Sequence, residues 1–241
     1  MTYSFDKVID RHGTDSLKYD LAAKRGLPED ILPLWVADMD FPSPPEVLEA
    51  LVDKSLHGIF GYSDAINDDY YNALADWYAS RFGWHLSPKW LVKTPGVVFA
   101  VCTAIRALTN EGDSVLIQQP VYHPFAGSVL ANDRKLVVNE LVYNDGKYSI
   151  DFDDFEDKIV KNNVKLFILC SPHNPVGRVW TKDELAAMGE ICLKHGIKVV
   201  ADEIHADFVY PGYRHHVFET VRPEFSDITV TCTAPTKTFN L

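Results

Sequence analysis

Asp202, Glu203 and His205 stand together at the end of an apolar run, in the stretch KVVADEIHADFVY at 198–210. Val199, Val200 and Ala201 read as a short buried strand. Open α/β sheets bind ligands beyond the carboxyl ends of their strands, so Asp202 stands where chemistry can occur. The same pattern suits the magnesium-binding strand of a P-loop nucleotidase, or a strand-end carboxylate that only faces water. Four further candidates lie along the chain. Pro95 and Gly96 precede FAVCTAIRALTN, and a helix that begins on glycine directs several backbone N–H groups and the positive end of its dipole at one spot, where a phosphate fits. Pro-Gly before a helix is equally a plain turn. Tyr122, Asn174 and Lys237, each taken alone, read as packing, a turn former and a solvated charge.

The elements that would hold these residues alternate. The stretch at 43–46, Ser-Pro-Pro-Glu, has a capping-box pattern with Ser43 at the N-cap, and a helix should run to about Leu56. HGIFGYSD at 57–64 reads as a packed turn, and a helix over 69–82 carries Leu74, Trp77 and Tyr78 on its core face before Gly83 ends it. Strands are expected at 114–118, 135–142, 164–170 and 228–233. An acidic helix is expected at 151–160, and a second capping box at Thr181 and Glu184 should open a helix to about His195, closed by Gly196. Strand and helix in alternation, with loops at the strands' carboxyl ends, argue an α/β fold with a mainly parallel, doubly wound sheet. On that fold the Gly96 turn, Tyr122, Asn174, Asp202 with His205, and Lys237 share one edge of the sheet.

Bulk properties narrow the classes of partner. The 241 residues are 46% hydrophobic, ordinary for a globular protein, and the formal net charge is −11. That balance argues against a nucleic-acid footprint and against an anionic membrane surface, and favours small-molecule or protein partners. MTYSFDKVIDRHG lacks the apolar core of a signal peptide, and no segment reaches the length of a membrane span, so the cytoplasm is the expected compartment. Cys102, Cys170, Cys192 and Cys232 are widely spaced in apolar surroundings and read as buried reduced thiols, not as a disulfide framework or a metal site. G-x-x-x-x-G-K-[ST], G-x-S-x-G and H-E-x-x-H do not occur.

The order of TPGVV at 94–98, SPHNPVG at 171–177, DEIHAD at 202–207 and TKTFNL at 236–241 resembles the fold-type I pyridoxal 5′-phosphate enzymes, the aspartate aminotransferase superfamily. Within it, WVADMDFP at 35–42, QPVYHPF at 119–125 and DEIH look most like the cystathionine β-lyase-type carbon–sulfur lyases. The match runs along essentially the whole chain. It implies a large cofactor-binding domain over 46–241, incomplete at its end, preceded by an arm and small-domain segment over 1–45.

The resemblance also implies roles. Lys237 would hold the cofactor aldehyde as a Schiff base and then move the substrate's α-proton. Asp202 would keep the pyridine nitrogen protonated, Asn174 would donate to the phenolic oxygen with His205 near the same atom, and Tyr122 would stack on the ring. Gly96, Val97 and Val98 would hold the phosphate through backbone N–H groups, with Thr236 adding a hydroxyl; Ala234 stands where many relatives have serine, which removes one phosphate contact. Tyr62, in FGYS, would reach the phosphate of a neighbouring subunit, which implies a homodimer. The implied reaction is β-elimination from cystathionine or a related sulfur amino acid, with transamination as the alternative. The chain stops at Leu241, soon after Lys237, whereas relatives continue into a small domain that supplies the arginine for the substrate carboxylate. A truncated enzyme is therefore expected, with a non-catalytic cofactor-binding or interaction module as the reading of a different class.

Overall fold

The structure, a computed structural model, describes residues 4–28, 30–64 and 66–241. The chain divides into two compact units, Ser63–Ala234 on one side and Met1–Tyr62 with Pro235–Leu241 on the other. No helix among the described residues is long and apolar enough to cross a membrane.

The larger unit is built on five parallel strands. β1 (Ser114–Gln119), β2 (Lys135–Glu140), β5 (Val164–Cys170), β6 (Lys198–Asp202) and β7 (Thr229–Cys232) lie in the order β2-β1-β5-β6-β7. Alternate residues face opposite sides of each strand, and both sides are apolar, as a parallel sheet covered on both faces requires. Leu116, Phe167, Leu169, Val199 and Ala201 join Phe155 and Ile159 of α5 (Phe152–Lys161) and Leu185, Met188 and Cys192 of α6 (Lys182–Lys194). Val115, Ile117, Leu166, Ile168 and Val200 join Val101 and Ile105 of α3 (Val97–Leu108) and Phe125 and Val129 of α4 (Pro124–Ala131). The expected doubly wound sheet is thus present. The chain leaves β1 for β2 on one side and returns to β5 on the other, so a topological switch lies between the carboxyl ends of β1 and β5.

Local signals account for most of the element ends. Thr181 and Glu184 form the reciprocal capping box, and α6 passes through His195 to Gly196 at φ 66°. Gly83, at φ 68°, closes α2 (Asp68–Phe82), whose Tyr78 is buried against Trp84 and Val217. In this unit two expectations fail. The strand expected over 135–142 breaks at Leu141, because Val142–Asn144 (β3) turns at Asp145 and Gly146, both at positive φ, and pairs antiparallel with Lys147–Ser149 (β4). Asp-Gly between short β-formers is a strong hairpin signal, and here it outweighs continuation of β2. Of the four cysteines, Cys102 is partly exposed and only the other three are buried, since residue 102 lies on α3 away from its sheet-facing stripe of Val101 and Ile105.

In the smaller unit Arg11 bridges Asp38 at 2.6 Å and Asp40 at 2.8 Å, and Lys18 meets Asp40 at 2.9 Å. α1 (Pro45–His57) begins on Pro44 without a side-chain cap. Ser43 does not cap it; its hydroxyl donates to the Asn240 carbonyl at 2.7 Å, while Asn240 Nδ2 donates to the Phe41 carbonyl at 2.9 Å. The stretch expected as a packed turn is not packed: past Gly58, which ends α1 at φ 72°, Ile59, Phe60 and Tyr62 are exposed.

Candidate active site

Asp202 is the last residue of β6 and pairs in register with Cys170 on one side and Cys232 on the other. In-register neighbours of a parallel sheet point the same way, so the carboxylate stands in a row between two thiols on the face covered by α3 and α4. Asp202 is 4% exposed. Its carbonyl accepts the Ser171 N–H at 3.0 Å, and Oδ1 accepts the Ile204 N–H at 3.2 Å. Burial first, and the Asp202 charge second, push the Cys170 thiol far up and the Cys232 thiol up to about 12, so both stay neutral.

The loops that leave the neighbouring strands carry Asn174 and Tyr122. After β5, the SPHNPVG turn is closed by His173 and Arg178, with the His173 N–H donating at 2.8 Å, and by Gly177 at φ 71°. Within it the Asn174 N–H donates to Cys170 Sγ at 3.4 Å, tying the half-buried asparagine to the residue that flanks Asp202. After β1, Tyr122 is half-buried beside Phe125, ring to ring at 5.7 Å. Its phenol is held above the usual value by burial and then by the Asp202 charge, which places the two within electrostatic reach. Gly96 is the N-cap of α3 and offers no side-chain cap. Ala100 is the first residue to bond back, at 3.0 Å, so the N–H groups of Val97 and Val98 have no acceptor inside the helix. His205 lies half-buried just past β6, its ring against Phe208 at 6.2 Å.

Thr236 and Lys237 lie on the short helix α7 (Pro235–Thr238), Thr236 exposed and Lys237 half-buried, in the unit that also contains Tyr62. The larger unit therefore holds Gly96, Val97, Val98, Tyr122, Asn174, Asp202 and His205, and the smaller one holds Tyr62, Thr236 and Lys237.

Sequence reasoning passed over two contributors. Cys170 is the buried thiol expected from its apolar surroundings, and nothing in its spacing announces the Asn174 contact. Glu203, noted beside Asp202, turns out to be buried against His215, a partner twelve positions away in an irregular stretch whose sequence carries no period.

This arrangement has counterparts. The aminotransferase class I and II family model matches residues 29–241. The chain belongs to that family. It is 45% identical over 238 residues to the cystathionine β-lyase PatB of Bacillus subtilis (strain 168), covering 99% of this chain and 61% of that protein. Among solved structures, cystalysin from Treponema denticola, described as containing a pyridoxal 5′-phosphate cofactor, superposes with a TM-score of 0.94 at 41% identity, over 100% of this chain and 61% of that one. A PLP-bound putative aminotransferase from Clostridium difficile 630 gives 0.93 at 43% identity, over 99% and 61%. The chain thus spans about three fifths of the length of these family members.

Proposed function

We propose that the protein is a pyridoxal 5′-phosphate-dependent carbon–sulfur β-lyase that cleaves cystathionine or a related sulfur amino acid to pyruvate, ammonia and a thiol. The observation that carries this reading is the 45% identity to a cystathionine β-lyase over 99% of the chain. The larger unit fits the cofactor's chemistry. A buried carboxylate suits a cationic ring nitrogen, and a glycine-started helix suits a phosphate.

In this reading the N–H groups of Gly96, Val97 and Val98 hold the phosphate, and the Thr236 hydroxyl adds to them. Asp202 keeps the ring nitrogen protonated. Asn174 donates to the phenolic oxygen, with His205 close to the same atom, and Tyr122 covers the ring face. Lys237 would hold the aldehyde carbon, and its free amine would take the substrate's α-proton. When bound, the cofactor supplies the sink for the electron pair left at the α-carbon. Tyr62 reaches the phosphate of a second subunit in a homodimer, and the protein works in the cytoplasm.

Transamination uses the same residues up to removal of the α-proton, and the family's own description keeps it as the second reading. Product analysis with L-cystathionine and added cofactor separates the two. The lyase reading expects pyruvate, ammonia and homocysteine with no keto acid supplied; turnover only with a keto acid overturns it in favour of transamination. A folded protein that binds the cofactor and turns over neither way is the non-catalytic module.

A further inference from the structure

Glu203 has no part in the reading above, yet its side chain is only 1% exposed and every polar atom of the residue is engaged. Carboxylate Oε1 accepts the Phe218 N–H at 2.8 Å, and Oε2 lies 2.9 Å from His215 Nε2. The backbone N–H donates to the Cys232 carbonyl at 2.9 Å, and the carbonyl accepts the Ala206 N–H at 2.9 Å. His215 is itself buried, its ring edge-on to Phe82 at 5.5 Å. Successive side chains of an extended chain point to opposite faces, and Glu203 reaches Phe218 in the core on the far side of the sheet from Asp202.

The peptide that joins Asp202 to Glu203 is thereby tied on three sides. The Asp202 carbonyl holds Ser171 at the end of β5, the Glu203 N–H holds Cys232 at the end of β7, and the Glu203 carboxylate is fastened beneath the sheet. A buried carboxylate is costly wherever an apolar residue of similar size would serve, so its retention calls for a use of its reach and its two acceptors. We propose that Glu203, clamped by His215 and the Phe218 N–H, is a positioning residue that fixes the direction in which Asp202 presents its carboxylate to the cofactor ring nitrogen. The inference rests on the reading of Asp202 given under Proposed function.

Two variants separate reach from charge. Glu203→Gln keeps the length and can accept from Phe218 while donating to His215, whereas Glu203→Asp keeps the charge and is one methylene short. Hydrogen exchange of the cofactor-free protein reads the backbone at residues 199–204. The dissociation constant for pyridoxal 5′-phosphate and the pH midpoint of its visible band read the ring-nitrogen contact. Positioning predicts faster exchange, a displaced midpoint and about tenfold weaker binding in Glu203→Asp, the scale seen when groups supporting a ligand-holding residue are removed. Glu203→Gln should match the wild type in all three. A Glu203→Asp protein that behaves as wild type, or a Glu203→Gln protein disturbed as much as Glu203→Asp, overturns the proposal. If Glu203→Asp does not fold, His215→Gln, which loosens one of the two clamps, must move the same readouts in the same direction, and no movement overturns it. A wild type without a visible band overturns the cofactor reading instead, and the exchange comparison then decides the clamp by itself.

Discussion

Asp202 and Glu203 adjoin in sequence and divide between the two faces of the sheet, one toward the candidate cofactor site and one into the opposite core. Replacing Asp202 with asparagine leaves the side chain's size unchanged and removes the charge opposite the ring nitrogen. Turnover of the loaded enzyme should fall on the order of 100-fold, the scale of losing one preorganised electrostatic contact. Steady-state kinetics check this, and an Asp202→Asn protein with wild-type kcat contradicts the assigned role. His173 gives a prediction about stability. Burial first, and Arg178 second, lower its value to about 4, and its ring packs edge-on to Trp180. Between that value and the ordinary 6.5 the unfolded chain binds a proton that the folded chain does not. His173 therefore leaves stability intact above about pH 6.5 and removes up to about 3 kcal/mol as the pH falls toward 4. His173→Phe should flatten that part of the pH profile in urea unfolding; an unchanged slope would show that other groups carry it. At this scale the sequence marks places in the fold, with Gly96 at a helix start, Asn174 in a turn and Asp202 at a strand end. It was silent where a partner comes from an irregular stretch, as His215 does for Glu203.

The helices and strands obey rules that act over a few residues, and the exceptions have identifiable causes. The capping box at Thr181 formed because both of its members belong to one turn. The similar pattern at Ser43 did not, because the Asn240 carbonyl, far along the chain, takes the hydroxyl. The hairpin β3–β4 departs from the expected single strand because the apolar run continues past Leu141 to Val142, while the Asp-Gly turn at Asp145 and Gly146 folds the chain back. α6 offers a sharp packing test. A Cβ on Gly189 would overlap Phe225 Cζ, in a ring wholly buried and stacked on Phe218. Gly189→Ala should therefore destabilise by about 1–3 kcal/mol despite alanine's better helix propensity, as overpacked core positions do. Chemical unfolding measures this, and a gain in stability would mean that Phe225 moves aside freely.

For the whole molecule, the doubly wound sheet could be read in advance because helices separate the first four of its five apolar runs, and that alternation leaves few topologies. The division into units was less accessible. Asn240 bonds to Met39 and Phe41 about two hundred residues earlier, and nothing local marks such a pairing. α1 buries none of its residues within the chain and exposes Leu48, Leu51, Val52 and Leu56, beside Ile59 and Phe60. An apolar surface of this kind supports the homodimer reading. Sedimentation should find a two-chain species at micromolar concentration, and a single-chain species would contradict it. The central claim is that the protein carries pyridoxal 5′-phosphate on Lys237, and it can be tested by incubating the protein with the cofactor, reducing with borohydride and mapping the modified peptide by mass spectrometry. The account predicts a pyridoxyl-phosphate adduct on Lys237 that is lost in Lys237→Ala; an adduct confined to another lysine, or none in the folded wild type, would contradict it.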